Sequence, residues 1–238
     1  MAEEPGIDRI LVVTAHPDDV DFGAAGSVAT WSAQGLDVAY CIVTDGDAGG
    51  FDSGIPRNEM ASLRHEEQTA AAKTVGVTDL TWLGHPDGAV VASLELRRDI
   101  TRVIRRFRPD RVVTQSPQRN YQRIYASHPD HLATGEAALC AVYPDARNGW
   151  AHAELLDEGY EPHVVREVWM MVGAEPNRFV DITDTIDRKI EALLCHRTQL
   201  PDPASVPDMI RGWARMNAEM GGLPADRVAE AFQALNTL

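Results

Sequence analysis

Two short stretches carry the side chains best suited to chemistry. The first is Thr14-Ala15-His16-Pro17-Asp18-Asp19, and the second is Ser127-His128-Pro129-Asp130-His131. His16 and Asp19 can offer a nitrogen and an oxygen to one metal ion, which leaves Asp18 beside them as a base. A catalytic zinc site takes three protein ligands and keeps one position open. A second histidine is therefore needed, and the second stretch supplies it. His128 and His131 are spaced i, i+3 and share one face of a helix. Asp130, between them, can hold an imidazole in the required tautomer. His16, Asp19 and His131 together make the donor set of a hydrolytic centre. Two histidines and a carboxylate also make the facial triad of Fe(II) oxygenases, so both chemistries stand at this point.

The tripeptide His-Pro-Asp occurs three times, at His16, His85 and His128. Taken singly, each has a local explanation. Proline favours an extended preceding residue and the first helical turn, and a carboxylate there favours the helix dipole. The combination of two such segments at strand ends, with metal-ligand spacing, is what points to a metal centre.

The elements that must position these residues follow from the apolar pattern. Residues 8–14 read as a buried strand, 22–34 as a helix and 37–44 as a second strand, which makes a βαβ unit with parallel pairing. A helix over 57–76, strands over 79–83 and 111–115 and a helix over 93–107 continue the alternation. A loop over 116–127 leads to a helix from about His128 to Val142. Residues 145–162 lack periodicity and read as an insert or active-site loop. A strand over 163–172 and helices over 183–198, 205–220 and 224–236 close the chain. The expectation is a Rossmann-like α/β fold. Its mostly parallel sheet is flanked by helices, and its C-terminal part is helical. The whole of 1–238 reads as one domain, with helices of about 183–238 packed on it. Ligands of such sheets bind at the carboxyl ends of strands, where both stretches fall.

The glycine-rich loop Asp45–Gly54 follows the second strand. It is not an EF-hand, since Pro56 stands where the bidentate Glu belongs. It lacks the Gly-Lys-Ser/Thr of a phosphate loop and the GxGxxG of a dinucleotide site. It reads as a wall or lid of the site. Without those fingerprints a plain nucleotide-binding module has little support.

The 238 residues carry a net charge of −14, which argues against a nucleic-acid partner. No stretch is long and apolar enough to span a membrane. The acidic N-terminus has no apolar h-region of a secretory signal. Cys41, Cys140 and Cys195 are dispersed and odd in number, which fits a reducing cytoplasm. The late helices can bury a shared face in a homo-oligomer, and nothing in the sequence counts subunits.

Ala15-His16-Pro17-Asp18-Asp19 and His128-Pro129-Asp130-His131 resemble the two signature motifs of the zinc-dependent de-N-acetylases. These are the N-acetylglucosaminyl-phosphatidylinositol deacetylase and LmbE-like family. Weaker similarities follow in order over roughly residues 8–200. They are Val43-Thr44-Asp45-Gly46, Arg64 with Glu67, Leu83-Gly84 with Asp87-Gly88, Arg108-Pro109-Asp110, and His196-Arg197-Thr198-Gln199. The resemblance implies one Zn²⁺ per chain on His16, Asp19 and His131, with other divalent metals as alternatives. It implies Asp18 as general base, His128 as imidazolium stabilising the oxyanion or acting as acid, and Asp130 orienting His128. Arg64, Asp45, Asp87 and His196 would contact substrate or line its pocket. The implied substrate is a small N-acylated amino sugar or related amide, such as a thiol conjugate or an antibiotic intermediate. Some sugar-thiol deacetylases carry a tyrosine two residues before the first histidine of the second motif. This chain has Ala126 there, with Tyr121 and Tyr125 nearby.

Overall fold

The computed structural model describes residues 6–121, 124, 127–171 and 173–238. Tyr125 and Ala126 lie outside the described residues, as does Val172 at the end of the expected strand over 163–172. Strand β1 (Arg9–Thr14) pairs in parallel with β2 (Asp37–Thr44), and β2 with β3 (Asp79–His85). On its other side β1 pairs in parallel with β4 (Arg111–Gln115), and β4 with β5 (Glu167–Met171). The apolar run Ile10–Val13 is buried on both faces of the sheet. Ile10 and Val12 join Tyr40, Ile42 and Trp169 on one side, and Leu11 and Val13 join Cys41, Val43 and Val112 on the other. Strands buried on both faces read as continuous apolar runs.

The helices cover these two faces. After β1 come α1 (Asp19–Gly23) and α2 (Ala25–Ala33), separated at Ala24 where one helix over 22–34 was expected. Helix α3 (Arg57–Thr74) joins β2 to β3, α4 (Leu94–Phe107) joins β3 to β4, and α5 (Pro129–Cys140) follows β4. A short α6 (Glu154–Asp157) lies in the 145–162 segment. Helices α7 (Ile186–Leu193) and α8 (Val206–Met220) come after the sheet's second half has begun.

The C-terminal part corrects the sequence reading. Residues 224–236 were expected to be a helix, and instead Ala229–Asn236 form β7. This strand lies antiparallel to β5 on one side and to β6 (Arg178–Asp181) on the other. Among the described residues the sheet has seven strands, in the order β3-β2-β1-β4-β5-β7-β6. Local composition (Ala, Glu, Gln, Leu) favours a helix, but two ladders and burial override it. Phe232 is fully buried, with ring centroids 5.3 Å from Trp169 and 6.3 Å from Trp31. The Glu230 carboxylate accepts from Gly26 N at 3.0 Å and Ser27 N at 2.7 Å. It thus caps α2, whose first turn has no local side-chain cap.

Strand order reverses between β1 and β4, and the two candidate stretches leave the carboxyl ends of these strands. That crevice is where open α/β sheets bind ligands. No helix among the described residues is long and apolar enough to cross a membrane. All three cysteines are free.

Candidate metal centre

Asp18 and Asp19 are neighbours in sequence but face different partners, because the backbone between them is unusual. Asp18 has φ 90°, a left-handed conformation that non-glycine residues adopt at a cost of about 1–3 kcal/mol. Its N–H donates to Gln68 Oε1 at 2.8 Å. Its carboxylate accepts from Arg64 Nη2 at 2.9 Å. Arg64 is only 3% exposed and also donates to the Pro17 carbonyl and, at 3.0 Å, to the Gly46 carbonyl. Gly46 has φ 65°, and a Cβ there would sit 2.6 Å from Arg64 Nη1. The glycine of the 45–54 loop is thus what lets the guanidinium reach its place.

Asp19 turns toward the histidines. His131 Nε2 lies 3.0 Å from Asp19 Oδ1. His16 Nδ1 lies 3.4 Å from Asp19 Oδ2 and 3.2 Å from His131 Nε2. Donors about 2.0–2.1 Å from a tetrahedral ion lie about 3.3–3.4 Å apart, and these three separations, which reach both oxygens of Asp19, are close to that size. The other ring nitrogen, His16 Nε2, faces Asp87 Oδ1 at 3.1 Å and Asp130 Oδ2 at 3.3 Å. Both carboxylates are anchored by backbone donors: Asp87 by Ala48 N at 2.8 Å, and Asp130 by Gly88 N at 2.7 Å and Val90 N at 3.3 Å. A ligating histidine characteristically donates its second N–H to a carboxylate, and in that arrangement Nδ1 would be the nitrogen left for an ion.

Two groupings have ligand atoms that all lie within 4.8 Å of one another: His16 with His128 and His131, and His16 with Asp87 and Asp130. The second is already knitted to the backbone N–H groups above. It is better suited to orienting His16 than to holding an ion.

Electrostatics agree with a cation site. Burial disfavours charge on His16, but its hydrogen bonds to the Asp130, Asp19 and Asp87 carboxylates outweigh it and push its pKa up to about 12. The carboxylate cluster thus favours positive charge on this ring. Burial raises Asp18 to about 6, against the pull of Arg64. Asp19 is held well below the usual carboxylate range, where the His131 and His16 contacts overcome its burial.

His128 is exposed at the start of α5, where its Nδ1 accepts from Asp130 N at 3.2 Å. Burial of part of the ring and the charges on His16 and His131 lower its pKa. A lowered pKa favours the neutral ring over the expected imidazolium, and the Nδ1 acceptor then leaves the proton to Nε2. Asp130 meets His128 through its backbone N–H, while its carboxylate faces His16 and the 88–90 turn.

The remaining expected residues divide. Asp87 lines the cavity through its bond to His16, and Arg64 lines it while holding Asp18. Asp45 does not line it, because its carboxylate pairs with His65 Nε2 at 2.8 Å, whose ring stacks on Trp82. His196 is fully buried and bonds Asp21 Oδ2 at 2.8 Å, behind the cavity wall. Burial disfavours charge on His196, and the Asp21 carboxylate more than offsets it and raises its pKa. Tyr121 is 86% exposed. Sequence reasoning missed Gln68, which joins Asp18 N to Asp21 Oδ2 through its two ends. Its i, i+4 spacing from Arg64 was the available signal. It also missed Gln115, whose Oε1 accepts from Ala15 N at 3.0 Å and ties β4 to the first stretch.

These residues open on a cavity of ≈ 770 Å³, which also takes in Ala48, Gly49 and Gln199. Residues 11–142 match the family described as PIG-L, GlcNAc-PI de-N-acetylase. The chain is 31% identical over 196 residues to the diacetylchitobiose deacetylase of Thermococcus kodakarensis, covering 82% of this chain and 72% of that one. It is 28% identical over 203 residues to a probable N-acetyl-alpha-D-glucosaminyl L-malate deacetylase 2 of Bacillus anthracis, covering 80% and 81%. Among solved structures it resembles the N,N'-diacetylchitobiose deacetylase from Pyrococcus horikoshii complexed with its inhibitor MPG. The TM-score is 0.89 and the identity 30%, over 97% of this chain and 85% of that one.

Proposed function

The chain belongs to the PIG-L family of de-N-acetylases, and from that premise we propose that it hydrolyses the amide of a small N-acetylated amino sugar with the help of one divalent metal ion, zinc by default. His16 Nδ1, Asp19 and His131 Nε2 would hold the ion. The observation that carries this reading is the approach of His131 Nε2 to Asp19 Oδ1 at 3.0 Å, of His16 Nδ1 to Asp19 Oδ2 at 3.4 Å, and of the two nitrogens to each other at 3.2 Å. The relatives' own names, which concern acetylated glucosamine compounds, support the substrate class.

A zinc ion bound by these donors supplies Lewis acidity and lowers the pKa of a water from 15.7 toward ~7. The chain's own groups do the rest. Asp18 is the carboxylate left free of the proposed donor set, and Arg64 and Gln68 hold it in place. It takes the proton of the attacking water and returns it to the departing amine. Its raised pKa suits a group that must hold that proton briefly. Neutral His128 offers Nε2–H to the amide oxygen as negative charge develops, a donor role that needs no imidazolium. Asp87 and Asp130 keep the His16 ring oriented. The Fe(II) oxygenase reading shares the donor types, but it gives Asp18 and its two anchors nothing to do.

The test is metal content of protein purified without added metal, together with amine release from N-acetylglucosamine with and without chelator. About one metal ion per chain and chelator-sensitive release support the reading. Protein that neither carries nor takes up metal would remove it.

A further inference from the structure

The cavity extends well beyond the proposed donor set. From His16 and Asp19 its lining passes through Phe22, Gly23 and Met171 to helix α8. Gly23 matters here, since a Cβ at that position would lie 2.4 Å from Met171 Sδ. Its absence lets the thioether lie against α1 between the two ends of the cavity. At the far end α8 presents Trp213, Met216 and Met220, spaced i, i+3, i+7 and 37%, 54% and 62% exposed.

The polar groups at this end are already committed to the protein. Lys189 Nζ donates to Glu230 Oε1 at 2.5 Å and to the Phe22 carbonyl at 2.7 Å. Glu230 also accepts the two α2 N–H groups, so the pair is neutral and internally bonded. Asn217 Nδ2 donates to the Ala229 carbonyl at 3.3 Å. Trp213, Met216 and Met220 keep much of their apolar surface in water, and with Ile210 and Ala214 they offer a second sugar ring's hydroxyls no hydrogen-bond acceptor, whereas an apolar group would cover that surface. An apolar group loses nothing there. The cavity volume is that of a site for a drug-sized ligand, more than one sugar ring fills.

We propose that this arm binds an apolar group carried by the amide substrate itself, adjacent to the amino sugar at the donor set. The inference rests on the de-N-acetylase reading above. Such a group can be an alkyl aglycone or a long acyl chain, and the experiment separates the two.

For the zinc-loaded protein, kcat/KM is measured on two series. One carries methyl, butyl and hexyl aglycones on N-acetylglucosamine, and the other carries acetyl, butanoyl and hexanoyl groups on the nitrogen of glucosamine. The expected result is a rise of about fourfold per methylene covered in one series, which identifies the source of the arm. In Trp213→Ala, and independently in Met220→Gln, the hexyl-to-methyl or hexanoyl-to-acetyl ratio should fall toward one. A flat profile in both series overturns the proposal, as does a ratio unchanged in both folded variants. A flat profile with a dimer that Trp213→Ala dissociates would assign the stripe to a second copy of the chain, and also overturns it. Failure to hydrolyse any compound would overturn the de-N-acetylase reading and the arm with it, whereas flat but measurable turnover removes the arm alone.

Discussion

The position of His131 depends on a glycine one helical turn later. A Cβ on Gly135 would stand 2.2 Å from the Gln115 carbonyl oxygen and 3.0 Å from both Gln115 C and Pro117 N. All three atoms are backbone, so no rotamer change relieves the clash. Restoring even 3.0 Å requires a shift of about 0.8 Å (3.0 minus 2.2) between α5 and the end of β4. Overpacking of this kind costs about 1–3 kcal/mol. At ~2–4 °C per kcal/mol for a chain of this size, Gly135→Ala should lower Tm by about 2–12 °C. His131 shares the face of Gly135 at i, i+4, and functional constellations tolerate only about 0.5 Å. Metal affinity should therefore fall by roughly 10–100-fold, the range seen when a ligand's support is lost. Thermal unfolding in chelator reads the packing cost, and competition against a fluorescent zinc chelator reads the affinity. Gly212 in α8 is the control, since nothing lies within 4 Å of its added Cβ. Gly212→Ala should raise stability by ~0.4–1 kcal/mol and leave affinity unchanged. A Gly135→Ala protein with parental Tm and affinity within twofold of the parent would refute the reasoning.

Asp18→Asn should keep metal affinity and lose turnover by ~100-fold or more, as removal of a positioned base does; isothermal titration with zinc and initial rates check both halves. Asp19→Ala should lose stoichiometric metal on elemental analysis, because it removes the carboxylate of the proposed donor set and leaves only His16 and His131. Asp130→Asn, which weakens the acceptor on His16 Nε2, should reduce zinc affinity by roughly 10–100-fold, with a smaller effect if His128 were the residue it serves. Burial pushes the Cys41 thiol up to about 12, so at pH 8 only about one molecule in ten thousand carries the thiolate that reacts. Iodoacetamide followed by peptide mass mapping should label Cys140 and Cys195 and spare Cys41 in the folded protein.

The candidate donors could be picked out because they are local. His16 and Asp19 lie three residues apart, His128 and His131 likewise, and both stretches follow strands whose apolar runs are unambiguous. The partners of those residues were not legible, because they depend on tertiary approach. Asp130 lies two residues from His128 in sequence, and yet its carboxylate meets His16 because the 88–90 turn folds over it. His196 and Asp45 sit in segments near the site but turn to Asp21 and His65 instead. Strand β7 was hidden for the opposite reason. Its residues favour a helix locally, and only the two open ladders of β5 and β6 make it a strand. Gln68 was accessible through its spacing from Arg64, but a glutamine on a helix suggests no chemistry until its two ends are seen on Asp18 and Asp21.

The doublet Asp18-Asp19 poses a question that the backbone answers. Two carboxylates on consecutive residues repel and would compete for one cation. Here the left-handed conformation at Asp18 turns the first carboxylate to Arg64, while Asp19 opens α1 and faces the histidines. The strain of about 1–3 kcal/mol is opposed by fixed partners on three sides: Gln68 on the Asp18 N–H, Arg64 on its carboxylate, and Arg64 again on the Pro17 carbonyl. Gln68 is in turn held by Asp21, which His196 fixes from the buried side. Residues from α1, α3 and the segment after α7 thus converge on one dihedral. The consequence is a division of labour that side-chain identity alone cannot produce. One aspartate faces the histidines with its pKa held well below the usual carboxylate range, and its half-buried neighbour lies beside an arginine with its pKa pushed up to about 6.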